Sequence, residues 1–104
     1  MSLKDVQQDV DKWTQTLKVP YWQPLEILAR ITEEVGELAR ELNIRFGAKK
    51  KKPTDDTRDV EDEIGDIIFS LACLSNSLSL DMTRGFTHAM DKTSGRDKDL
   101  HEKK

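Results

Sequence analysis

Four carboxylates at matched spacings dominate the chemistry open to this 104-residue chain: Glu34 with Glu37, and Glu63 with Asp66. Each pair stands one helical turn apart on a strongly amphipathic stretch. Placed on a wheel at about 100° per residue, Glu34 and Glu63 each fall roughly 70° from the centre of their apolar arc, and Glu37 and Asp66 roughly 130°, with the same rotational sense. An antiparallel hairpin of the two segments therefore carries all four acids on one flank. Converging carboxylates repel, and hard divalent cations with oxygen ligands relieve that repulsion. The chemistry implied is metal-assisted reaction of a charged substrate. The competing reading is a solvated acidic face, with Arg30 and Arg40 pairing with Glu34 and Glu37 at helical spacing.

Four helices are expected to position these groups. Leu3, Val6, Val10, Trp13 and Leu17 step by three and four over residues 3–17, which places Trp13 in the core, and Pro20 ends that segment. Pro24 suits the first turn of a second helix running to about Phe46, with apolar positions Ile27, Leu28, Ile31, Val35, Leu38 and Leu42 and a C-cap at Gly47. Residues 48–57 read as an exposed loop with lysines at 49–52, a length that permits the hairpin. Asp55, Asp56 or Thr57 is the expected cap of a third helix with Val60, Ile64, Ile67, Leu71, Leu74 and Leu78 inward. A short fourth helix from about Asp81 offers Met82, Phe86, Ala89 and Met90 as its inner face. No segment has strand periodicity.

Composition narrows the classes. Charged residues make up 36% of the chain and aromatics 6%, as in a heavily solvated helical protein. The net charge of −3 argues against a general nucleic-acid binder. The single Cys73 suits a reducing compartment. Without an apolar leader or a run near 18 apolar residues, no membrane partner and a cytoplasmic location are expected. His88 and His101 form no E-x-x-H pair, which disfavours a di-iron bundle. A chain this short has a modest core, so self-assembly is a natural means of burying more apolar surface.

The stretch from Leu28 to Leu38, with Glu33-Glu34-x-x-Glu37, followed by Glu61 to Phe69, with Glu63-x-x-Asp66, closely resembles the MazG-like all-α nucleoside triphosphate pyrophosphohydrolases. Gly36 and Gly65 stand at familiar positions, and the resemblance spans roughly residues 5 to 97. It implies an all-α four-helix bundle that is oligomeric, a homodimer or homotetramer, with residues 1–97 as the domain and 98–104 as a charged tail. It implies Mg²⁺, with Mn²⁺ as the alternative ion, held by Glu34, Glu37, Glu63 and Asp66. The implied reaction cleaves a nucleoside triphosphate between the α and β phosphates, for house-cleaning or control of a nucleotide pool, with Glu33 as candidate for positioning the attacking water. Lys92 and Arg96 resemble the phosphate-binding cations at the end of the family's bundle, although Ser94 stands where Asn is usual. Trp22, in the loop just before the second helix, reads either as a stacking partner for a base or, flanked by prolines, as a lid on the core.

Two rivals stay open at the level of sequence. One is a non-catalytic helical module that assembles with itself or a partner. The other is a hydrolase of another pyrophosphate compound, such as a nucleotide sugar.

Overall fold

The computed structural model describes residues 1–49, 51–53 and 57–96, Arg96 through its backbone alone. It is all-α, with helices α1 (Leu3–Thr14), α2 (Pro24–Phe46), α3 (Arg58–Ser77) and α4 (Met82–Asp91), the last continued by a π-helical turn at Lys92–Arg96. No strand occurs among the described residues. The tail at 98–104 and the expected caps Asp55 and Asp56 lie outside them.

Local chemistry explains most boundaries. Ser2 and Asp5 form a reciprocal cap, with Ser2 N–H donating to Asp5 Oδ2 at 2.9 Å and Asp5 N–H to Ser2 Oγ at 3.1 Å. Helix α1 stops at Thr14, a turn short of the expected Leu17. At α2, Pro24 occupies the first turn and Gln23 N–H donates to Glu26 Oε1 at 3.1 Å. Gly47 closes α2 in extended backbone (φ −74°, ψ 177°), and a Cβ there would run into the Asn43 carbonyl oxygen. Asp81 caps α4 by accepting from Thr83 N–H at 2.9 Å and Arg84 N–H at 3.2 Å. Helix α3 ends in a Schellman turn: Leu80 N–H donates to the Ser75 carbonyl and Ser79 N–H to that of Asn76, with Ser79 itself left-handed at φ 55°.

Helices α2 and α3 form the expected hairpin, α1 packs across α3, and α4 leans chiefly on α1. One run of sheltered positions, 27, 31, 34, 38, 41 and 45 on α2 and 60, 63, 67, 70, 74 and 77 on α3, alternates steps of three and four, with Ile44, Ala72, Cys73, Ser75 and Asn76 also sheltered beside it. A second, outer seam carries Leu28, Val35 and Leu42 on α2, Ile64, Ile68 and Leu71 on α3 and Leu78 just past its end, each at least 39% exposed. The apolar arc read from sequence is thus two seams, and this chain covers only the inner one.

The fourth helix departs from expectation. No residue of α4 is buried, and Phe86 and Met90 of its expected inner face are 57% and 48% exposed. The reason is the 112° bend between α3 and α4, which turns α4 away from the hairpin. Gln7 fixes this corner: its side-chain amide donates to the Leu80 carbonyl at 2.9 Å and to Asn76 Oδ1 at 2.9 Å, and it accepts from Met82 N–H at 3.0 Å. The radius of gyration is 16.8 Å, against about 13 Å for a compact chain of this length.

Candidate active site

Glu34 and Glu63 occupy slots in the inner seam, where an apolar side chain would ordinarily sit. Glu34 is 1% exposed and Glu63 half-buried. The hairpin brings these two together with the exposed Glu37, so that one carboxylate oxygen from each lies within 4.8 Å of the others. Asp66, one turn further along α3, stands outside that cluster. It borders the same cavity as Glu34.

The electrostatics of the cluster are unresolved by protein groups. Arg30 Nη2 contacts Glu34 Oε1 at 2.7 Å, but Glu34 Oε2 and Glu63 Oε2 are buried with no hydrogen-bond partner. Two ionised carboxylates can only accept, so neither satisfies the other. A proton on Glu63 supplies the missing donor. Hydrogen bonding with Glu34, then burial, then the Glu37 carboxylate push the Glu63 carboxyl up to about 7. A divalent cation does the same work without the proton. Buried orphan oxygens from two helices, all hard donors, fit such an ion.

Beside the carboxylates lies a largely apolar cavity of about 340 Å³, within the usual range of small-molecule sites. Its walls come from the α1–α2 loop with Tyr21 and Trp22, from α1 with Trp13, from α2 with Arg30 and Glu34, and from α3 with Asp66 and Phe69. Trp13 departs from its expected core place: it is 53% exposed and meets Phe69 edge to face at 5.9 Å. Thr14 fills the buried position instead. Tyr21 holds the loop in place, its hydroxyl donating to Asp11 Oδ1 at 2.5 Å and accepting from Asn76 Nδ2 at 3.0 Å. Burial, then the bond to Asp11, raises the Tyr21 pKa, so the phenol stays a donor. Burial likewise raises the Cys73 thiol in the cavity wall.

The remaining expected residues are more scattered. Trp22 is 59% exposed and lines the cavity. Glu33 points to solvent, 67% exposed, with Arg30 Nη1 at 3.7 Å. Lys92 begins the π-helical turn after α4, on the arm that leans on α1, and does not line the cavity. The Arg96 side chain lies outside the described residues. Arg30 is the cavity residue that motif reading passed over. Its helical spacing to Glu34 was the available signal. The α1–α3 contact that brings Trp13 to Phe69 left none.

Comparison with known proteins bears on this arrangement. The model of the MazG nucleotide pyrophosphohydrolase domain matches residues 23–101. The uncharacterised protein YpjD of Bacillus subtilis (strain 168) is 46% identical over 103 residues, covering 99% of this chain and 93% of that protein. The crystal structure of B. subtilis YpjD, a proposed pyrophosphatase, matches with a TM-score of 0.81 at 46% identity, over 88% of this chain and 94% of that one. That of the Bacillus-conserved MazG protein, a nucleotide pyrophosphohydrolase, matches with a TM-score of 0.79 at 39% identity, over 95% and 96%.

Proposed function

The chain belongs to the MazG nucleotide pyrophosphohydrolase family and is a nucleotide pyrophosphohydrolase; from that premise we propose that it is a divalent-metal enzyme cleaving a nucleoside triphosphate between the α and β phosphates, giving the monophosphate and pyrophosphate. One observation carries the metal: Glu34, Glu37 and Glu63 converge within 4.8 Å and leave two buried oxygens without a partner. In this reading Glu34, Glu37, Glu63 and Asp66 hold Mg²⁺, with Mn²⁺ accepted by the same hard ligand set. The ion supplies neutralisation of phosphate charge and a more acidic water.

The side chains divide the remaining work. Trp22 closes the loop side of the cavity and stacks on the base, with Trp13 and Phe69 as the opposite apolar wall. The Arg30 contact holds Glu34 through Oε1 and leaves Oε2 without a protein partner. Glu33, adjacent in sequence and left outside the ligand set, is the proposed water-positioning carboxylate. Lys92 and Arg96 sit on an arm that leaves the hairpin, which is the geometry expected of residues that serve the site of a second copy. The outer seam of Leu28, Val35, Leu42, Ile64, Ile68 and Leu71 is the surface on which a homodimer or homotetramer would close. Such an enzyme acts on cytoplasmic nucleotides, and among the described residues no single helix is long and apolar enough to cross a membrane.

The test is pyrophosphate release from a panel of canonical and modified nucleoside triphosphates, in Mg²⁺ and in EDTA. Metal-dependent pyrophosphate together with the matching monophosphate is expected. A folded protein that releases none, or that acts only on nucleotide sugars, would overturn the proposal.

A further inference from the structure

Arg30 is the one lysine or arginine among the described residues lining the cavity. Its neighbours along α2 set its level: Ile27 lies in the apolar wall one turn before it, Glu34 one turn after, and Glu37 beyond that, outside the cavity. At 1.5 Å of rise per residue these steps are roughly 5 Å each. Along α2, Arg30 therefore stands between Ile27 in the apolar wall and Glu34, with its guanidinium at the Glu34 carboxylate. Resting on the proposed function of this site, we propose that Arg30 is a substrate-binding residue that grips the α-phosphate, the group that must lie between a stacked base and the metal-bound end of the polyphosphate.

The donors are available for this. A guanidinium has five N–H groups. Glu34 takes one at 2.7 Å, while Glu33 at 3.7 Å is beyond hydrogen-bond length. The side chain is 51% exposed, so it can meet a phosphate without first being uncovered. Arginine also matches phosphate oxygens with paired parallel donors, which lysine cannot. The need is electrostatic as well as geometric. An anionic phosphate entering beside Glu34 and Asp66 meets like charge, and a guanidinium already bound to Glu34 offsets it at that point. Lys92 of the same chain lies off the cavity.

Product binding separates this role from simple support of Glu34. Dissociation constants for the nucleoside monophosphate product and for its nucleoside are measured by calorimetry in Mg²⁺, on the wild type, Arg30→Gln and Arg30→Lys. Mn²⁺ binding without nucleotide is followed by electron paramagnetic resonance. Losing a charge-assisted phosphate contact should weaken the monophosphate about ten- to a hundredfold in Arg30→Gln, with nucleoside affinity within about twofold. Arg30→Lys should fall between, and it covers the case in which the glutamine variant does not fold. An unchanged ratio of monophosphate to nucleoside affinity, with Mn²⁺ binding altered instead, would overturn the inference and leave Arg30 a support for Glu34. A wild type that neither releases pyrophosphate nor binds monophosphate would overturn the functional reading and this one with it.

Discussion

Without metal, raising the pH should destabilise this protein across the window in which most carboxylate-rich proteins gain stability. The Glu63 carboxyl, ordinarily near 4.5, is pushed up to about 7 by Glu34, burial and Glu37. Below pH 4.5 it is protonated whether the chain is folded or not. Between 4.5 and about 7 the unfolded chain has released the proton while the folded chain keeps it, so each step up in pH favours unfolding. The contribution is fully present below 4.5 and lost once the pH passes about 7. Metal binding must displace the same proton. Below pH 7, releasing one proton per ion weakens apparent affinity about tenfold per pH unit, or about a hundredfold from pH 7 to 5. The assay pairs melts in EDTA at pH 5 to 8 with Mn²⁺ titrations at the same values, on the wild type and Glu63→Gln. The amide introduced by that substitution donates to Glu34 at every pH, so the variant should melt higher than the wild type at pH 8 in EDTA. It should also lose the wild type's downward slope. If the two proteins share one pH profile in EDTA, or if wild-type metal affinity is flat from pH 5 to 7, the coupled-cluster argument is wrong.

Three further outcomes test other parts of the molecule. Glu37→Gln and Asp66→Asn should each lower kcat by at least about a hundredfold, with circular dichroism unchanged, since both residues are exposed on intact helices; full activity in either removes that residue from the ligand set. Arg45 is 1% exposed and binds the Pro53 carbonyl at 3.1 Å and Asp59 at 3.0 Å, so Arg45→Ala should cost about 2–4 kcal/mol in urea unfolding. Arg45→Met, which refills the volume, should cost less than half as much, because Glu41 retains Lys52 at 2.9 Å. Ser79→Gly should stabilise by about 0.5–1 kcal/mol and raise Tm by a few degrees, because glycine adopts the φ of 55° without a Cβ penalty; no gain would mean the Ser79 hydroxyl holds a compensating contact.

What the sequence disclosed and what it hid have one physical origin. Helical period, prolines at 20 and 24, and the Asp81 cap are local, and the four elements follow from them. The hairpin follows too, and with it the convergence of Glu34, Glu37 and Glu63 but not of Asp66, since matched spacing on consecutive helices needs only a short loop. Trp13, the course of α4 and the level of Arg30 depend on contacts between segments far apart in sequence. The Asn76 side chain, for example, accepts from Gln7 and donates to Tyr21, tying α1, the proline loop and α3 together. No local pattern announces that junction.

Treating the apolar positions of α2 as one arc averages Ile27, Ile31 and Leu38, which the chain shelters, with Leu28, Val35 and Leu42, which it leaves open. The averaged centre falls between two seams and sets Glu34 on a flank. In the fold Glu34 and Glu63 stand in the inner seam itself. A carboxylate in such a slot opposes folding unless a cation or a shared proton answers it, and Arg30 contacts only Glu34, leaving the buried Oε2 of each residue without a partner. The chain thus keeps a local conflict at the centre of its most regular element pair. Folding alone would be better served by leucine at both positions, so the conflict itself points to a bound ion as the reason these acids are there.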